Sequence, residues 1–503
     1  MEAFEIGSGH VWTHDLDGSV RFEKRSITFY DGRIAEGRHA AGTIGASGRF
    51  VCPGFADAHF HLISLANKSL RVDLSGATGA ADAMARLARS GGGGAATVGV
   101  DFDESDWAEP ALPTRRDLNA ISATQPVYAR RVCCHVGVGN DALLDLLAPR
   151  GLDRFVDRES GRITEDAVFE ANRLTRPPDA SVSAAMEGAV RHLHSLGITK
   201  IHDIVDPDTI EVYVDGLKCL SRRPLRIDAY LHTSARDFAA ARARLAGADT
   251  SLVRAVGIKI FSDGSLGART AALHQPYADA DTRGELLVET AALAIEIAAC
   301  AEQGIECAIH AIGDRALSTV LDAIETAGEA GARVRIEHAE IIAERDIERI
   351  VRLGVPLVMQ PNFVRNWGGE GGLYERRLGR ERWLRHNPFA TLLRAGARIL
   401  FSSDGMPAGP LFGLNGATRH AIEAERIGAI DACTRYTIAE RTLWGGGPTK
   451  GLAVGDPADV VILSGNPLFA DLDGLRVINT FTGGRLVYEE APPRWRQNFK
   501  SGP

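Results

Sequence analysis

Six residues of this chain could together hold a divalent metal: His59 and His61 in VCPGFADAHFHL, then Lys259, His310, His338 and Asp404. Side chains alternate faces along an extended segment, so His59 and His61 project the same way with Phe60 turned opposite. One short strand thus delivers two imidazoles to one point. His310 closes the run IECAI, His338 closes VRIE, and Asp404 follows ILFSS. A lone histidine in an apolar run is ordinarily a satisfied core residue; it is the recurrence at the ends of successive short runs that points to one centre. Neutral imidazole and carboxylate suit zinc, manganese, iron or nickel, and a set without thiolate fits a catalytic site better than a structural one. The order His-x-His, Lys, His, His, Asp describes a hydrolytic metal centre at the mouth of a barrel.

Eight buried-strand candidates must position these groups: 50–61, 198–204, 225–232, 256–263, 305–312, 334–341, 355–361 and 397–404. Helical periodicity lies between them at 290–303, 316–327 and 343–353. Eight is the closing number of a parallel barrel, and the candidate ligands fall at the carboxyl ends of strands one, four, five, six and eight, where barrel enzymes keep their active sites. The expected fold class is α/β, a distorted (β/α)8 TIM barrel over 53–449. Residues 62–190 exceed any single crossover and are expected as an insertion that shapes the substrate pocket, with VGVDFDESDW and PVYARRVCCHVGVGN as strands and Ser90 to Gly94 as a flexible connection. Residues 1–52 and 450–503 both read as short strands with turns, which predicts one small composite β-sandwich built from both ends.

The net charge of −8 over 503 residues and the absence of a Lys/Arg-rich block argue against nucleic acid. No segment reaches the roughly 18 uninterrupted apolar residues of a membrane helix, so no membrane partner is expected and a cytoplasmic location is the default. The partner expected is a small-molecule substrate, and a homodimer is left open. Seven scattered cysteines without a C-x-x-C read as reduced thiols, mostly small core residues.

A longer set of motifs carries a resemblance. PGFADAHFHL, DESDW with LPTRRDL, RRVCCHVGVGN, GITKIHD, KIFSDGSLGARTAAL, HAIGDRAL, RIEHAE, MQPNF, SSDGMP and GLAVGDPADVVIL occur in order nearly end to end. With them the chain resembles the amidohydrolase superfamily, in the branch of YtcJ-like hydrolases and N-substituted formamide deformylases. The resemblance implies a barrel with a composite β-sandwich, and places His59 and His61 as the first-strand pair, His310 and His338 as the fifth- and sixth-strand ligands and Asp404 as the eighth-strand carboxylate. It matches Lys259 to a lysine that is carboxylated in some members and bridges two metals. A carbamate is an anionic oxygen ligand, whereas an ammonium is repelled by cations. One metal with a free amine remains the alternative, and zinc is the expected ion. The implied reaction is hydrolysis of a non-peptide carbon–nitrogen bond, amide or formamide-like, by metal-activated hydroxide with Asp404 as general base and acid.

Substrate-contact candidates are His135, which aligns with a pocket histidine of this branch, Arg269, which could meet a substrate carboxylate or pair with Asp263, and His202 at the end of the second strand. Asp103, Glu104 and Asp106 read as solvated or turn-forming, Asp314 as a helix start and Arg315 as an internal partner. Two rivals stand beside hydrolysis. A mononuclear deaminase of a nitrogen heterocycle would want a Glu soon after the fifth-strand histidine, where this chain has His-Ala-Ile-Gly-Asp-Arg. A non-catalytic metal-binding protein predicts a missing ligand or acid/base, and none is missing.

Overall fold

The computed structural model describes residues 3–14, 20–36, 39–90, 95–104, 107–132, 136–164, 166–248, 251–328, 333–439, 443, 451–469 and 472–491. Eight short runs rich in apolar residues form one all-parallel sheet: β1 (Phe55–Phe60), β2 (Ile198–Val205), β3 (Arg226–Leu231), β4 (Val253–Phe261), β5 (Glu306–Ala311), β6 (Arg333–His338), β7 (Leu357–Met359) and β8 (Ile399–Phe401). Each pairs with the next in chain order. Helices Thr290–Gln303, Asp314–Ala327 and Glu344–Leu353 alternate with the later strands, within a few residues of the helical periodicity. Gly304 and Gly354 end two of them at φ 66° and 63°, the left-handed conformation that glycine adopts without steric cost. The ring nearly closes where β8 meets β1. There Asp404 N–H donates to the His59 carbonyl at 3.0 Å, Ser403 N–H donates to Asp57 Oδ1 at 3.0 Å, and the Ser403 hydroxyl binds the same carboxylate. This is the expected (β/α)8 barrel.

One expectation needs correction. The single strand expected at 50–61 is two strands in two sheets, Phe50–Pro53 and Phe55–Phe60, broken at Gly54. A Cβ there would lie 2.4 Å from Thr199 Oγ1, so the chain can cross β2 closely only without a side chain. Phe50–Pro53 instead joins an eight-stranded sheet that holds Ala3–His14, Val20–Tyr30, Arg33–Ala35, Ala40–Gly45, Val460–Leu463, Val477–Thr482 and Arg485–Glu489. Val460–Leu463 runs antiparallel to it in the register Val461 to Cys52. Strands from both ends of the chain thus share one sheet, tied to the barrel by Arg226 Nε to Asp459 Oδ2 at 2.6 Å and by the Thr480 hydroxyl to the His194 carbonyl at 2.7 Å.

Residues 63–189 form a second compact unit. Its sheet orders Arg162–Thr164, Val136–Gly139, Val127–Arg131, Thr97–Phe102 and Val72–Asp73. Alternation sends Val127 and Ala129 to one core with Phe102 and Trp107, and Tyr128 to the other with Val98, Val100 and Leu143. Gly91 to Gly94 of the expected flexible connection lie outside the described residues, as do Cys133, Cys134 and Asp106. Cys52, Cys219, Cys300, Cys307 and Cys433 are buried free thiols. Among the described residues no helix is long and apolar enough to cross a membrane.

Candidate metal centre

Five barrel strands bring the six candidate ligands to one rim. His59 Nε2 stands 3.7 Å and His61 Nε2 3.2 Å from the same oxygen, Asp404 Oδ1. Lys259 Nζ lies 3.3 Å from His59 Nε2. The His338 ring centroid lies 4.9 Å from that of His59 and 4.5 Å from that of His310. His59, His338 and Asp404 have ligand atoms mutually within 4.8 Å, among the described residues the one group of histidine, cysteine or acidic side chains that close; His61, Lys259 and His310 join it pairwise. The set opens on one side: His59 and Lys259 are buried, whereas the His61 side chain is 32% and that of Asp404 16% exposed.

The backbone is bent to make this convergence. His338 and Ala339 have φ of 71° and 50°, and Asp404 has 53°. Non-glycine residues occupy this left-handed region at a cost and tend to do so at functional sites. At His338 the bend breaks strand alternation, so that Glu337 and His338, consecutive in β6, both reach His59.

Three of the four imidazoles, those of His59, His338 and His310, are set up to offer a lone pair. His59 Nδ1 lies 2.5 Å from Glu337 Oε2 and His338 Nδ1 2.9 Å from Gln360 Oε1, contacts in which the ring nitrogen must donate, leaving Nε2 as a ligand. His310 Nε2 lies 2.9 Å from the Gly264 carbonyl, and its Nδ1 is buried without a partner. An orphaned imidazole nitrogen beside two others and a carboxylate is what a divalent ion would satisfy, so the residues fit a metal. Burial, with the Lys259 charge second, pushes His59 well below its usual pKa; burial and then His310 do the same for His338. Both rings are neutral, as metal ligands must be. Burial opposes charge on His61 and Asp404 too, but Asp404 outweighs it at His61 and holds that ring up, while His59 and then His61 outweigh it at Asp404 and hold the carboxyl down. Burial lowers the Lys259 amine to about 8, against the pull of Glu337 and Asp404.

Of the expected substrate contacts, His135 lies outside the described residues. Arg269 does not pair with Asp263: its guanidinium is bidentate to Asp279 at 3.1 and 3.0 Å, and its backbone is left-handed at φ 62°. Asp263 is taken by three backbone donors, the N–H groups of Ala272, Ile312 and Gly313 at 2.8, 3.0 and 2.9 Å. A buried carboxylate so satisfied has no need of the arginine. His202 is buried in the barrel interior, where Arg335 Nη1 donates to its Nδ1 at 2.6 Å; β2 runs three residues beyond it. Its neighbour Asp203 accepts from Leu62 N–H at 2.8 Å and anchors the loop after β1. Asp103 and Glu104 are not simply solvated but pair with Arg131 at 2.6 and 2.8 Å. Asp314 is the first residue of its helix and accepts from His274 N–H at 2.8 Å, while Arg315 binds the Gly284 carbonyl at 3.1 Å.

Sequence reasoning missed the residues behind the ligands: Asp57, Arg335, Glu337 and Gln360, all fully buried. The signal was in RVRIEH, where Val334 and Ile336 alternate with Arg335 and Glu337. A barrel strand covered on both faces has no solvent side for those charges, so they must point into the barrel.

The comparisons agree with this geometry. A model described as "Amidohydrolase family" matches residues 42–488. The chain is 29% identical to a putative amidohydrolase YtcJ of Bacillus subtilis (strain 168), across 89% of this chain and 90% of that one. It is 27% identical to an N-substituted formamide deformylase of Arthrobacter pascens, across 97% and 99%. Among solved structures, an uncharacterized metal-dependent hydrolase from Pyrococcus furiosus superposes with a TM-score of 0.77 at 27% identity, covering 93% of this chain and all of that one. A match that takes in the barrel and strands of the flanking sheet leaves one conclusion: this chain belongs to the amidohydrolase family.

Proposed function

We propose that this protein hydrolyses a non-peptide carbon–nitrogen bond of an amide or formamide type in a small molecule. The observation that carries the reading is the convergence of His59, His338 and Asp404, with neutral imidazoles, on the open side of a family barrel. A divalent ion held by these residues, zinc by the donor set, supplies a Lewis acid for the scissile carbonyl and acidifies water. Asp404 does the proton work. Its side chain is partly exposed and held ionised by His59 and His61, so it takes the proton of the attacking water and returns it to the leaving nitrogen. Lys259, buried and with its amine drawn down to about 8, suits carboxylation and a second metal.

The test is a panel of N-substituted formamides and N-acyl amines, alongside amino-substituted heterocycles, scored for amine against ammonia release. Amine release that needs added zinc is the expected result; ammonia release from a heterocycle would instead make it a deaminase, and silence on both would favour a non-catalytic role. Metal stoichiometry with electron density at Lys259 decides the finer point. Two ions and a carbamate are expected, and one ion with a free amine would overturn the binuclear reading.

A further inference from the structure

Arg335 and Glu337 are both 0% exposed, and Arg335 Nε lies 2.6 Å from Glu337 Oε1 in the barrel interior. Such interiors are ordinarily filled with branched apolar side chains, and a buried ion pair is rarely more stabilising than an apolar pair of the same volume. The pair therefore needs a use other than stability. Glu337 Oε2 lies against His59 Nδ1 at 2.5 Å, while Oε1 faces the guanidinium as an ion pair without a hydrogen bond, so turning the carboxylate would give up the ring contact and the pairing together. Arg335 is fixed in turn: Nη1 donates to His202, Nη2 donates to the Ala58 carbonyl at 3.1 Å, and the guanidinium lies 4.0 Å over the Tyr230 ring, whose hydroxyl binds Glu306. Ala58 immediately precedes His59. One guanidinium thus grips both the backbone entering the ligand and the carboxylate against the ligand's ring.

We propose that Glu337, clamped by Arg335, is the positioning residue of the metal centre: it holds His59 with the proton on Nδ1 and aims Nε2 at the ion. The proposal rests on the metal-centre reading above. Outer partners of metal-bound histidines fix ring tautomer and orientation, and their loss typically weakens metal binding about 10- to 100-fold. Here the outer partner of His59 and the ligand His338 are consecutive residues, so β6 places both in one step.

The experiment measures zinc affinity by chelator competition on the full-length protein, beside thermal unfolding. Glu337→Gln alone strands a buried guanidinium, so the informative variants are paired: Arg335→Met with Glu337→Leu removes clamp and acceptor, and Arg335→Met with Glu337→Gln keeps a neutral acceptor for Nδ1–H. The first pair should unfold cooperatively yet bind zinc about 10- to 100-fold more weakly. The second should regain most of that loss. Tyr230→Phe keeps the ring under Arg335 and removes only the hydroxyl bound to Glu306, so it should bind zinc as the wild type does. Wild-type affinity in the Leu pair, or equal losses in the Leu pair, the Gln pair and Tyr230→Phe, would overturn the positioning role. A wild-type protein that takes up no zinc would instead overturn the metal-centre reading itself.

Discussion

Asp404 is held by two imidazoles and lies near a buried amine, and this crowding gives it both its charge and its reach. Replacing it with Asn keeps the shape but removes the basicity. Asp404→Asn should lower kcat by about 10²- to 10⁴-fold, the usual worth of a positioned acid/base, while metal analysis finds ions still bound; near-normal turnover would end its assigned role. Gln360 is the corresponding test of a supporting residue. Its Oε1 meets His338 Nδ1 at 2.9 Å and its Nε2 donates to Val358 O and Ser402 Oγ at 3.1 and 2.9 Å. Gln360→Met retains the volume and removes all three, so zinc affinity should fall about 10- to 100-fold, and a titration unchanged from wild type would show that His338 needs no such support.

At the scale of elements, Asp263 staples the loop after β4 to the start of the helix after β5. Asp263→Ala leaves three amide donors without an acceptor, two of them beside His310, and each buried orphan costs about 1–3 kcal/mol. Urea unfolding should show a loss of about 3 kcal/mol or more, and a loss below about 1 kcal/mol would mean that water or the backbone replaces the carboxylate. The strands themselves were legible because parallel barrel strands are short, apolar and bounded by turns, and the candidate ligands because all but Lys259 sit where such a run ends. Two things escaped that pattern. The boundary at Gly54 is set by a contact with Thr199, some 145 positions away, which no local periodicity registers. The Arg269 to Asp263 pairing failed because backbone amides, invisible as residue types, had already claimed the carboxylate.

For the whole molecule, acid is the informative stress. Burial lowers His194 and His386 to about 4 and His420 to about 3; the His386 and His420 rings lie 4.8 Å apart in a setting of Tyr374, Trp383 and Phe389. The unfolded chain takes up these protons near pH 6.5, whereas the folded chain resists until about pH 4 or below. Stability from these groups is therefore full above about pH 6.5 and falls as pH drops through that window, by about 1.4 kcal/mol per unit for each histidine. Buried Asp57, Asp203 and Glu340, raised by burial to about 7, 6 and 8, act in the opposite sense, so the informative quantity is a difference: the urea midpoint of the wild type relative to His386→Gln with His420→Gln should fall as pH drops from about 7 to about 4. A difference between the two proteins that is indifferent to pH would contradict the burial of the His386 and His420 rings.

The shared sheet has a temporal consequence. Phe50–Pro53 lies between Ala3–His14 and Val460–Leu463, so one of its hydrogen-bonding edges is completed by a strand about 400 residues further along. At roughly 5–20 residues per second, a ribosome delivers that strand about 20–80 s after the first. Throughout synthesis the nascent chain carries an open, apolar strand edge, the kind of template on which chains pair wrongly. Any shortfall in chaperone supply should therefore appear first as aggregation of incomplete chains, before any effect on the finished protein.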